Sequence, residues 1–164
     1  MECNRRHVAI GGGPTAAPGM DAAGQLIAID GEPRQPGDQV GAEQRRARLR
    51  GLIQTLGDDP VDMLNLLKFR PGGEASYADY GRGFAVLIPK HAPGTEIVYW
   101  AECAGLLAGT EEWDRLIIVR YPSIKAFLKI TTSPDYERIA HLRTDALERA
   151  VLYAMVPIGR KREE

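Results

Sequence analysis

The residues of this chain that could do chemistry are arginines, tyrosines, a tryptophan and an asparagine set in apolar segments. Phe69-Arg70 closes one apolar run ahead of a helix that Ser76 can cap. Arg120-Tyr121 closes another, ahead of Pro122 and the capping Ser123. Helix N-termini carry partial positive charge and free N–H groups, so with arginines added they make a carboxylate or other anion site. The two runs are expected as the first and third strands of a sheet, parallel neighbours that emerge at the same end. Arg120 is the principal candidate for the anion site.

Other positions offer polar groups to a pocket. Asn65 shares a strand face with Val61, Met63 and Leu67, where a buried amide finds partners or costs about 1 to 3 kcal/mol. It either orients a ligand or makes a structural hydrogen bond. Trp100 and Glu102 share a face of a later strand, and Arg143 shares a helix face with Tyr136 and Ile139. Arg143 either pairs with an acid such as Glu102 or reaches into the pocket. Tyr77 and Tyr80 stand at helical spacing, which serves a core stripe as well as a ligand pocket. Gly81 and Gly83 lie in the same helix, where each glycine costs about 1 kcal/mol against alanine. They therefore mark close packing or a cavity wall.

Several chemistries lack support. His7, His91 and His141 share no ligand spacing, and Cys3 and Cys103 form no metal motif, so no metal, haem or other cofactor is expected. Residues 8–16, Val-Ala-Ile-Gly-Gly-Gly-Pro-Thr-Ala, imitate a dinucleotide fingerprint, with Asp30 further on. Pro18-Gly19 interrupts the helix that would have to receive the pyrophosphate. No GxSxG, P-loop or cysteine–histidine pair is evident. The 21 basic residues against 22 acidic ones give a net charge of -1, which argues against nucleic acid as a partner. No apolar run approaches the roughly 20 residues of a membrane span. Glycines and prolines after Ile10 disfavour a secretory signal, so a cytoplasmic protein is expected. Met20 follows the low-complexity opening, and translation could start there.

The elements that must position these groups follow from periodicity and breakers. With 44% hydrophobic and 26% charged residues the chain has globular composition. Residues 1–37 form a Gly/Pro-rich extension in which only 26–29 could make a short strand. Residues 38–59 carry an amphipathic helix whose Arg45, Arg46, Arg48 and Arg50 read as a solvated face or a phosphate patch. Residues 60–158 form the domain proper, and 159–164 a charged tail. Within the domain, 61–69 is an apolar run bounded by Pro60 and Pro71-Gly72-Gly73, as expected of a strand covered on both faces. A helix follows from Ser76, with Asp79 in the reciprocal capping position. Residues 95–107 and 113–121 pair as a hairpin. Ser123 and Ser133 cap two short helices, the second with Pro134 in its first turn. A strand at 151–156 closes the sheet. This is the βαββαβ order of an α+β, ferredoxin-like antiparallel sheet.

The strand Met63-Leu64-Asn65-Leu66-Leu67-Lys68-Phe69-Arg70, the Tyr77-x-x-Tyr80 helix, and Glu111-x-Trp113-Asp114-Arg115 leading to Tyr121-Pro122-Ser123 carry a family resemblance, together with Ser133-Pro134-Asp135-Tyr136 and Arg143. From Pro60 to about Pro157 the chain resembles the family known as domain of unknown function 1330. The resemblance implies a dimeric α/β barrel, in which two ferredoxin-like units pack sheet against sheet. A partner sheet would supply the second cover that the 61–69 strand requires.

Two function classes follow. One is a cofactor-independent small-molecule enzyme, monooxygenase- or isomerase-like, binding an anionic or aromatic metabolite between sheet and helices. Asn65, Tyr77, Tyr80, Trp100, Arg120, Tyr136 and Arg143 would line its pocket, and a tyrosine or Glu102 could move a proton. The other is a non-catalytic ligand-binding protein or a dimeric assembly protein whose polar residues satisfy one another. The expected partners are a second copy of the chain and a small molecule, with neither nucleic acid nor membrane.

Overall fold

A computed structural model of the protein describes residues 42–158. The extension at 1–37 with its possible strand, the Met20 start and the 159–164 tail lie outside them. The elements run α1 (Ala42–Leu56), β1 (Val61–Phe69), α2 (Gly73–His91), β2 (Glu96–Glu102), β3 (Arg115–Tyr121), α3 (Ile124–Thr131), α4 (Pro134–Ala146) and β4 (Leu147–Met155). The sheet order is β2-β3-β1-β4, and every neighbouring pair is antiparallel. The ferredoxin-like α+β reading holds.

The expectation that the first and third strands are parallel is wrong. β3 returns from the β2–β3 hairpin and so runs against β1, with Val61 opposite Tyr121 and Leu67 opposite Arg115. Arg120 therefore stands at the start of β1, far from Phe69-Arg70. Side chains alternate across a strand, and Arg120 also lies out of phase with Tyr121. It points to the face opposite the helices.

Helix starts divide by local chemistry. Ser123 Oγ accepts from the Ala126 N–H at 3.1 Å, and Ser133 Oγ from the Tyr136 N–H at 3.1 Å, as their sequences require. Ser76, by contrast, is not a cap. α2 starts three residues earlier behind Gly72, whose φ of 75° is left-handed. Gly73 presses against Ala146, where an added Cβ would lie 2.1 Å from the carbonyl oxygen. The Arg70 N–H donates to that same oxygen at 2.9 Å, and Ser76 Oγ donates to the Leu142 carbonyl at 2.9 Å. The turn from β1 into α2 is thus pinned to the end of α4. Only glycine permits so close an approach.

β1 is the spine of the core. Val61, Met63, Leu67 and Phe69 are buried on its helix-facing side. Leu67 is fully buried, worth about 2 kcal/mol in apolar burial. Around Val61 and Met63, one group of side chains joins β1 to Ile124, Phe127 and Ile130, and Leu49, Leu52 and Ile53 of α1 pack against it. Around Leu67, a second joins Phe69, Tyr77, Tyr80, Ala146 and Leu147. The opposite sheet face holds Leu64, Leu66, Leu116, Ile118, Tyr99, Val151 and Tyr153, with Tyr99 and Tyr153 more than half exposed. No helix of the described residues covers it.

Candidate functional site

A cavity of about 430 Å³ lies between the sheet and α2, α3 and α4. Its floor is the helix-facing side of the sheet: Met63 and Asn65 from β1, Arg115, Ile117, Val119 and Tyr121 from β3, and Leu152 from β4. Tyr77, Tyr80, Gly81, Phe84 and Ile88 of α2 form a wall, with Tyr136 and Arg143 of α4 beside them. Trp100 and Ile97 of β2, 55% and 52% exposed, stand at the open side with the exposed Arg82.

Six of the eight residues singled out from the sequence border this cavity: Asn65, Tyr77, Tyr80, Trp100, Tyr136 and Arg143. Asn65 Nδ2 donates to the Met63 carbonyl at 3.3 Å, a long bond within its own strand. Tyr80 is pressed between Tyr77 at 5.4 Å, Phe84 at 5.7 Å and Tyr136 at 6.3 Å between ring centroids. Burial pushes its hydroxyl well above the usual tyrosine range, and the nearby Arg143 offsets this only in part. Burial pushes Tyr121 up as well. At neutral pH both are uncharged hydrogen-bonding groups and not bases. Arg143 is 5% exposed and reaches this aromatic end of the cavity from α4.

Arg120 and Glu102 do not border the cavity. Arg120 makes two hydrogen bonds to Asp62, Nε to Oδ1 at 2.7 Å and Nη2 to Oδ2 at 2.9 Å, with Glu96 3.5 Å away. It ties β3 to β1 on the sheet face opposite the helices, although α3 begins only a few residues further along the chain. Glu102 is 80% exposed and lies 3.4 Å from Arg115.

Arg115 is the cavity arginine that the sequence reading left without a role. Its Cζ lies 4.9 Å from the Phe69 ring centroid and 5.7 Å from that of Trp100. The side chain is 15% exposed, and its buried Nε has no hydrogen-bond partner among the described residues. Strand alternation counted back from Tyr121 through Val119 and Ile117 reaches Arg115, so the signal was in the sequence. The neighbouring Asp114 is committed elsewhere. Burial pushes its carboxyl up, but hydrogen bonds from Lys68 at 2.7 Å and the Phe69 N–H at 2.7 Å more than offset this and hold it low.

The two glycines of α2 divide between the two roles expected of them. A Cβ on Gly83 would sit 3.0 Å from Ile139, so Gly83 serves helix packing. Gly81 has nothing within 4 Å of that position and borders the cavity.

A four-stranded antiparallel sheet with its helices gathered on one face defines an α+β protein of ferredoxin-like architecture. The chain belongs to the family described as Domain of unknown function (DUF1330), whose model matches residues 67–156. A protein of unknown function from Rhodopseudomonas palustris superposes with a TM-score of 0.61 at 27% identity, covering 71% of this chain and 93% of that one. Its methylated form gives a TM-score of 0.62 at 26% identity, covering 73% and 94%. A Caulobacter crescentus protein, provisionally described as an antibiotic biosynthesis monooxygenase, shares the fold with a TM-score of 0.50 at 13% identity, covering 65% and 96%. No curated protein matches the chain. Among the described residues no helix is long and apolar enough to cross a membrane.

Proposed function

We propose that this protein binds a small anionic molecule with an aromatic or apolar body in the cavity between sheet and helices. One observation carries the reading: Arg82, Arg115 and Arg143 border a cavity of about 430 Å³ that no carboxylate of the described residues borders, Arg82 being paired with Asp79 beside it and Arg115 met by Glu102 at 3.4 Å. That volume lies within the roughly 300–1,000 Å³ of small-molecule sites. Aromatic rings on three sides suit a flat ligand.

The same lining favours binding over protein-driven proton transfer. Among the described residues its lining holds no histidine, lysine, cysteine or carboxylate, and Tyr80 and Tyr121 stay protonated. An enzyme using this cavity would draw on the reactivity of its substrate, with the protein excluding water and fixing the anion.

We also propose that the chain works as a homodimer joined through the uncovered sheet face. The apolar middle of that face is flanked by charges already paired within the chain, Asp62 with Arg120 at one end and Lys68 with Asp114 at the other. A second copy would therefore meet apolar surface without an unpaired charge.

The test is a thermal-shift screen of small organic molecules on the full chain and on Gly81→Leu, which would fill the cavity from α2. Stabilising hits should concentrate among aromatic anions and vanish in the variant. Hits that persist in Gly81→Leu would place binding elsewhere and defeat the proposal.

A further inference from the structure

Resting on the cavity reading above, we infer that the ligand is an aromatic or apolar monocarboxylate. Its carboxylate is held by Arg115, and Glu102 is the counter-ion it displaces. The Arg115 side chain is 15% exposed, yet among the described residues its one ion-pair contact is Glu102 at 3.4 Å, itself 80% exposed. Such a contact is long for a charge-assisted hydrogen bond, which ordinarily closes to about 2.7–2.9 Å. Nε, a second donor on the same planar fork, is buried without a partner. A buried guanidinium left this open is costly unless something completes it. Phe69 and Trp100 meanwhile hold the group in place. The Nη groups of a guanidinium so fixed can receive one carboxylate.

The order of residues along β3 gives the rest of the ligand. Arg115, Ile117, Val119 and Tyr121 follow one another at about 6.6 Å per step on the cavity floor. Asn65 stands opposite Ile117, and Met63 opposite Val119. Along this strand the floor is polar at Arg115 and Asn65 and apolar at Ile117 and Val119, which fits a molecule with its charge at Arg115 and an apolar body, while the buried Arg143 joins the cavity from α4 near Tyr80 and Tyr121. Exchange of one carboxylate for another also leaves the local charge unchanged. When the ligand leaves, Glu102 keeps Arg115 from standing wholly uncompensated.

The test is calorimetric titration of the full chain at neutral pH with naphthalene-2-carboxylate, naphthalene-2-carboxamide and 2-naphthyl phosphate. The carboxylate is expected to bind at least about tenfold tighter than the amide, the worth of one charge-assisted contact. Arg115→Gln should erase that preference. Glu102→Gln should tighten the carboxylate severalfold and leave the amide unchanged. Glu96→Gln removes a charge from the same strand that faces Arg120 and should alter neither. Glu102→Gln keeps Arg115 intact, so its result stands even if Arg115→Gln folds poorly. Equal affinity for carboxylate and amide, tighter binding of the phosphate, or equal effects of Glu102→Gln and Glu96→Gln would overturn the carboxylate assignment while the cavity reading survives. Failure of all three probes to bind would overturn both.

Discussion

Arg120 grips Asp62 across β3 and β1 with two hydrogen bonds, at 2.7 and 2.9 Å, on the sheet face that the helices leave bare. Asp62 is only 7% exposed, so removing the guanidinium strands a buried carboxylate. Arg120→Ala should lower the melting temperature and leave the affinity for cavity ligands unchanged. Calorimetry on the variant checks both; lost affinity with unchanged stability would return Arg120 to the binding site.

Three glycines of one helix should respond to alanine in opposite ways. At Gly73 the new methyl meets the Ala146 backbone, which cannot step aside, and the expected loss is about 1–3 kcal/mol. Gly81 faces open space, so Gly81→Ala should gain roughly 0.5–1 kcal/mol of helix stability. Gly83→Ala should fall between them, because the tip of Ile139 can shift. Urea denaturation of the three variants reads the order directly.

The end of α2 and the start of α4 are joined through Asp135. Hydrogen bonds from Lys90 and, at 3.0 Å, from His91 hold its carboxyl down to about 2, against an ordinary 3.8. An acid whose folded value lies below its unfolded one adds stability above the unfolded value and loses it as pH falls through the folded one. The stability gap between the wild type and Asp135→Asn should therefore be full above about pH 4 and close toward pH 2. Chemical denaturation across that range checks it, and a gap independent of pH would refute the linkage.

What the sequence disclosed and what it hid have separate physical causes. β1 was legible residue by residue, because a nine-residue apolar run between Pro60 and the Pro71-Gly72-Gly73 turn admits little else. Ser123 and Ser133 were legible because an N-cap is a local device. Strand direction is not local. The hairpin that brings β3 back beside β1 sets it, and so Arg120 and Phe69-Arg70 stand at opposite ends of the sheet. Ser76 failed as a cap because Gly73 packs on Ala146, a contact 73 residues away in sequence. The place of the cavity between sheet and helices was legible, since Asn65, Tyr77, Tyr80, Trp100, Tyr136 and Arg143 all border it, but its volume exists only once α2, α4 and the sheet are in place. Arg115 was missed although period-two alternation from Tyr121 reaches it.

The bare face should make the chain a dimer. Leu66 and Ile118 sit near its centre on adjacent strands, since Leu66 pairs with Leu116 and Leu64 with Ile118. Sedimentation should give twice the chain mass for the wild type and the single mass for Leu66→Glu with Ile118→Asp, because like charges brought together on an apolar interface oppose association. A monomeric wild type at micromolar concentration would remove the dimer from the account.

On the proposed function, the cavity between sheet and helices receives a small aromatic anion at Arg115. A crystal structure grown with saturating naphthalene-2-carboxylate tests it most directly. The rings should lie over Ile117 and Val119 beneath α2, with a carboxylate oxygen about 3 Å from an Arg115 nitrogen and Glu102 turned away. Rings bound elsewhere, or a cavity without ligand at saturation, would contradict it.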